Sequence, residues 1–156
     1  MESAINVSNV YQVAEIELIY KSRVKASERP KIGSCKDVYR ILMQSWDQNK
    51  LEFIEEFKIL LLNQGSRVLG IYEVSKGGIT GTFADVRIIF AAALKANAVG
   101  IILAHNHPSG QLIPSNADKQ LTERIRKAGE IMDISVLDHL IVTSEGFCSF
   151  VDEGLL

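Results

Sequence analysis

Two short runs of unbroken apolar residues constrain the fold more than any other feature of the sequence. They are Ile59-Leu60-Leu61-Leu62 and Val99-Gly100-Ile101-Ile102-Leu103-Ala104. Each is bounded by polar or turn-forming residues, so each reads as a strand rather than a helix. A strand that is apolar on consecutive residues has no face for water and must be covered on both sides. Helical patterns alternate with these strands, which asks for an α/β layer with helices packed on a mixed sheet.

The remaining elements follow from local signals. Val10–Val24 mixes alternation with a short apolar stretch and reads as an extended strand. Ser34 precedes an amphipathic pattern at Val38, Ile41 and Leu42, a short helix ending near Trp46. Asp47–Leu51 is polar and reads as a loop. Glu55–Asn63 and Val68–Ser75 form a hairpin across the Gln64-Gly65-Ser66 turn. Asp85 caps a helix through about Ala96, stopped by Asn97. Val99–Ala104 is the buried strand that runs straight into His105. Ser115 starts a helix through about Lys127, with Gly129 at its frayed end. Ile134–Thr143 is a strand, and Phe147–Val151 a last short one. The chain of 156 residues reads as one domain, with a core over about 55–156 and a strand-helix extension over about 8–50.

Composition narrows the function. Seventeen basic and 19 acidic residues leave a net charge of −2, which argues against binding nucleic acid by bulk electrostatics. The two cysteines, Cys35 and Cys148, have no Cys or His at zinc-finger spacing and read as reduced thiols. The N-terminus shows no basic and apolar leader, and no apolar run approaches the ~18–20 residues of a membrane span. A cytoplasmic protein is expected.

All three histidines fall in the last third of the chain. His105 and His107 are i and i+2 at the end of a buried strand, so their side chains leave the same face. Strand ends of this kind are where α/β scaffolds place their sites. Ser115 and Asp118 follow at i and i+3 of the next helix, on one face. Two imidazoles and a carboxylate are a three-ligand set for a catalytic zinc, with the fourth position left for water. Zinc lowers the pKa of that water to about 7. Ser115 Oγ is a candidate donor to an oxyanion, and a carboxylate acting as general base must come from elsewhere in the chain. Ser-x-x-Asp is also a capping-box pattern, a role compatible with the first.

The string His105-Asn106-His107-Pro108-Ser109-Gly110, followed by Pro114-Ser115 and Asp118, resembles the JAMM metalloprotease motif of JAB/MPN domains. With Asp138-His139 downstream it is similar to the bacterial RadC family, whose members carry a DNA-repair label. The resemblance covers about Glu55 to Leu156. It implies a three-layer α/β/α fold with a mixed sheet, shared with cytidine deaminases. It also implies one zinc per chain on His105, His107 and Asp118, with Ser115 stabilising the tetrahedral intermediate. The substrate class it implies is a peptide or isopeptide. A catalytic Glu is implied on an early strand, where spacing favours Glu55 and leaves Glu56 as the alternative; a one-residue shift flips the face, so only one of them serves.

Two departures from the family pattern stand out. The N-terminal helix-hairpin-helix region that suggests DNA contact is not expected here, and the family's Pro-Arg-Glu appears as Val86-Arg87-Ile88. Asp138 and His139 lie in an apolar strand. They read either as a buried hydrogen-bonded pair that fixes register or as groups orienting a ligand behind the metal. Lys119, Arg124, Arg126 and Lys127, with Glu123 among them, read first as a solvated helix face and second as a nucleic-acid patch. The competing function is therefore a DNA-associated protein, in repair or mobile-element biology, that holds zinc without peptidase activity.

Overall fold

The computed structural model describes residues 14, 17, 19–78 and 83–156. After a short 3₁₀ turn at Ala26–Glu28, the elements are α1 (Cys35–Ser45), β1 (Glu56–Leu62), β2 (Val68–Lys76), α2 (Val86–Lys95), β3 (Gly100–Asn106), α3 (Asn116–Ile131), β4 (Ser135–Val142) and β5 (Phe147–Ser149). The strands form one mixed sheet in the order β2-β1-β3-β4-β5. β3 and β4 are parallel, joined by α3, and the other neighbours are antiparallel.

The two apolar strands lie side by side in the middle of that sheet. Every residue of β1 and of β3 is buried. Alternate side chains go to opposite faces. On one face Phe57, Ile59, Leu61, Ile101 and Leu103 pack with Ile89, Phe90 and Ala93 of α2 and Ile125 of α3. On the other, Leu60, Leu62, Ile102, Ala104, Leu140 and Val142 pack with Val38 and Leu42 of α1, and with Trp46 and Leu51. The helices on both faces give the three-layer α/β arrangement that continuous apolar strands demand.

The expected helix starts are held by side-chain caps: Ser34 Oγ accepts from Asp37 N–H, Asp85 from Arg87 N–H, and Ser115 Oγ from Asp118 N–H. Asn97, with φ of 54°, ends the turn after α2. Three expectations need adjustment. Of the strand expected over Val10–Val24, residues 10–13, 15, 16 and 18 lie outside the described residues, and residues 14, 17 and 19–24, which are described, belong to no strand. The helix expected to end near Lys127 continues to Ile131, so Gly129 is inside it rather than at a frayed end. A Cβ on Gly129 would stand 2.3 Å from the Ile134 carbonyl oxygen, so the glycine permits close passage of the returning chain. The hairpin turn at Gln64-Gly65-Ser66 is as expected: Ser66 takes the left-handed position, φ 56°, and Asn63 Oδ1 accepts from both Gly65 and Arg67 N–H. β5 stops at Ser149, where hydrogen-bonded turns take over.

One irregularity decides the site. The register of β3 with β4 runs Ile101 opposite Val136 and then Ile102 opposite Asp138, so Leu137 is an extra residue in β4. Such a bulge shifts the phase of all that follows. Gly100, across the ladder, leaves the room that Leu137 occupies.

Candidate metal centre

His105 is the penultimate residue of β3 and is 1 % exposed. It points to the face covered by α2 and α3, with its ring parallel to that of Phe57 on β1, interplanar angle 5°. His107 lies just past the strand, and its Nε2 is 3.0 Å from His105 Nε2. Asp118 arrives from the first turn of α3. Its Oδ1 is 3.3 Å from His105 Nε2 and its Oδ2 3.6 Å from His107 Nε2. The three ligand atoms lie within 4.8 Å of one another.

Each group is oriented from behind. His107 Nδ1 is 2.8 Å from the Gln111 carbonyl oxygen. A carbonyl only accepts, so Nδ1 carries the proton and the Nε2 lone pair faces the cluster. Ser115 N–H donates to Asp118 Oδ2 at 2.7 Å, completing a reciprocal capping box around the carboxylate. The hydroxyl of Ser115, an exposed residue, accepts from Asp118 N–H at 3.1 Å and retains its own proton to donate.

The electrostatics describe an electron-rich pocket in need of a cation. Among the described residues, no lysine or arginine pairs with Asp118. Burial alone pushes its carboxyl up; the pull of the His105 and His107 rings, with Ser115, more than reverses this, and the group is a carboxylate. The hydrogen bond to Asp118 raises His107 above its ordinary range, against the opposing effect of burial, with further help from Gln111 and from the charge of Glu55. Two nitrogens and one carboxylate oxygen converging on one point, with no protein cation to balance them, fit a divalent ion such as zinc.

The two glutamates separate cleanly. Phe57 pairs with His105 in the β1–β3 ladder, so continuing the register puts Glu55 opposite His107. Glu55 shares a face with Phe57 and the histidines. Glu56 points to the other face, where its carboxylate, 2 % exposed, lies 3.7 Å from Lys58 Nζ and 3.8 Å from Lys76 Nζ. The Asp138–His139 pair is also divided. The bulge at Leu137 turns His139 to the metal face, where its Nε2 is 2.7 Å from His105 Nδ1. It turns Asp138 away, to accept from Ser149 Oγ at 2.6 Å and from the Val151 and His139 N–H groups. Asp138 thus secures the C-terminal turn and lies apart from the cluster.

Three contributors were not singled out by sequence. Asn106, wholly buried between the two histidines, donates from Nδ2 to the Leu51 and Ile54 carbonyls, both at 2.8 Å, and accepts from Glu56 N–H at 2.7 Å. It thereby pins the segment that carries Glu55 to the strand that carries the ligands. Thr122 on α3 contacts His139, and the Gln111 carbonyl orients His107. Only the buried polar residue in the His-x-His string hinted at any of this. On the outer face of α3, Glu123 pairs with Arg126 and Lys127, and Glu130 with Arg126, which neutralises much of that basic cluster. Arg87 is turned to solvent and paired with Asp85.

Comparison with known proteins agrees with this architecture. A family model described as a RadC-like JAB domain matches residues 32–155. A UPF0758 protein of Flavobacterium johnsoniae is 46% identical over 144 residues, covering 92% of this chain and 62% of the relative. A UPF0758 protein of Chlorobaculum parvum is 37% identical over 154 residues, 97% of this chain and 68% of the relative. A third, of Porphyromonas gingivalis, is 48% identical over 103 residues, 65% of this chain and 45% of the relative. The chain thus spans roughly half to two-thirds of the length of these relatives, and no helix among its described residues is long and apolar enough to cross a membrane. A match over most of the chain, together with a His-His-Asp cluster at the end of β3, makes this protein a member of the RadC-like JAB domain family.

Proposed function

We propose that the chain is a zinc-dependent amide hydrolase of the metallopeptidase or isopeptidase type. The observation that carries this reading is the convergence of His105 Nε2, His107 Nε2 and an Asp118 carboxylate oxygen within 4.8 Å, with no protein cation among them. Those three atoms would hold the ion, which, when bound, supplies an acidified water and polarises the substrate carbonyl. Glu55, across from His107, accepts the proton of the attacking water and returns it to the departing amine nitrogen. Ser115 Oγ–H donates to the oxygen that becomes negative as the carbonyl turns tetrahedral.

The test has two stages. Elemental analysis of the purified chain is expected to give about one zinc per chain, lost in Asp118→Ala. Hydrolysis of an amide panel is expected to fall about 10²–10⁴-fold in Glu55→Gln with zinc retained, and to survive in Glu56→Gln. Absence of metal in both proteins after zinc is added back would refute the reading. Retained hydrolysis in Glu55→Gln would refute the assignment of the base.

A further inference from the structure

His139 is a fully buried imidazole that the hydrolytic reading leaves without a task. It bridges two groups. Its Nδ1 is 2.6 Å from Thr122 Oγ1, and its Nε2 is 2.7 Å from His105 Nδ1. Thr122 Oγ1 is in turn 2.7 Å from the main-chain carbonyl oxygen of Asp118. Each link needs one proton, and the protons can be assigned in order.

A carbonyl oxygen has none to give, so the Thr122 hydroxyl proton lies toward Asp118 O. Its oxygen is then an acceptor toward His139, and the proton of that link sits on His139 Nδ1. His139 is fully buried against the Phe57 and Phe150 rings, and among the described residues no carboxylate bonds to its ring, so the imidazole carries a single ring proton. Its Nε2 is therefore bare and must accept, so the next proton belongs to His105 Nδ1. The Nε2 lone pair of His105 is left facing His107 and Asp118.

From this order we infer that Thr122 and His139 are positioning residues that lock His105 in the Nδ1–H tautomer, the form that presents Nε2 to a metal. The inference rests on the proposed metal-binding role of the cluster. Asp118 closes the circuit: its carboxylate faces the site from one side, while its carbonyl sets the proton order that reaches the site from the other. The usual partner behind a metal-binding histidine is a carboxylate or a carbonyl. Here it is a second imidazole, which can accept only because Thr122 has already fixed its tautomer. The Phe57 and Phe150 rings, at 5.6 Å and 4.5 Å from the His139 ring, shield the link from water. Without Thr122, His139 is free to donate from Nε2, which would put the His105 proton on Nε2 and occlude the metal.

The decisive measurement is long-range ¹H–¹⁵N correlation of the imidazole nitrogens in the zinc-stripped chain, followed as the pH is raised until the spectra no longer change. His105 and His139 are both expected as Nδ1–H tautomers in the unsubstituted protein. In Thr122→Val both are expected to lose that pure signature, and zinc affinity against a chromogenic chelator to fall about 10–100-fold. Thr122→Ser, which keeps the hydroxyl, is expected to restore both. An Nε2–H signal on His105 in the unsubstituted chain overturns the inference, whether or not the variants fold. So does a Thr122→Val protein with unchanged shifts and affinity. The tautomers are read without metal, so a chain that shows them and yet binds no zinc would refute the hydrolase reading while leaving the lock intact.

Discussion

Replacing Asn106 by Ala tests whether one amide joins the two halves of the site. Three groups lose their partner together: the Glu56 N–H and the Leu51 and Ile54 carbonyls. Glu56 and Leu51 are 2 % and 1 % exposed, so water reaches neither group without opening the structure. An orphaned buried donor or acceptor costs about 1–3 kcal/mol. Two such groups, plus a smaller contribution from the half-buried Ile54 carbonyl, give a loss of about 3–5 kcal/mol. That is a large share of the ~5–15 kcal/mol available to a domain of this size. Urea denaturation of the zinc-stripped protein reads it directly, because no metal binding then adds to the folded state. Asn63→Ala is the control. It also removes two hydrogen bonds, but to Gly65 and Arg67 in a turn that water reaches in part, and should cost about 1–2 kcal/mol. Amide exchange over residues 51–56 should rise in Asn106→Ala ahead of global unfolding. A loss no larger than that of Asn63→Ala, or unchanged exchange in that segment, would refute the argument that this amide pins Glu55 to the ligand strand.

Two further outcomes follow from the geometry. Gly129→Ala gains about 1 kcal/mol of helix propensity but drives a Cβ to 2.3 Å from a backbone oxygen that cannot swing away. Overpacking costs about 1–3 kcal/mol or more, so a net loss in Tm is expected, and an unchanged or raised Tm would contradict the close approach of α3 and the chain entering β4. Zinc affinity should rise with pH, because the proton that Asp118 holds on His107 occupies the metal's lone pair. The pKa of His107 is raised, so in the metal-free chain its pairing stabilises the fold below about pH 6.5 and that contribution is lost as pH rises through the raised value. Calorimetric affinities that stay level from about pH 6 to pH 8 would contradict this.

Local signals in the sequence were enough to determine much of the protein. Continuous apolar runs specify β1 and β3 and the cover on both their faces, because a strand without a polar face has nowhere else to go. Ser34, Asp85 and Ser115 mark helix starts, because capping involves atoms only two or three residues apart. The spacing His105-x-His107 followed by Ser115-x-x-Asp118 pointed to one His-His-Asp cluster, because the near-alternation of a strand end and the first turn of the next helix limit which side chains can face each other. The tertiary structure alone decided what depends on partners far along the chain. The β1–β3 register, with Phe57 opposite His105, when continued puts Glu55 rather than Glu56 on the face of the histidines. His139 rather than Asp138 enters the site because one extra residue at Leu137 shifts the phase of β4, and uninterrupted alternation would have chosen the other. Asn106 finds its partners 50 to 55 residues away, and Thr122 meets His139 across 17. A periodicity extends only as far as the element that carries it. Side chains from different elements meet where packing and register bring them together, and in this protein that holds for the candidate base and for the groups behind the His-His-Asp cluster.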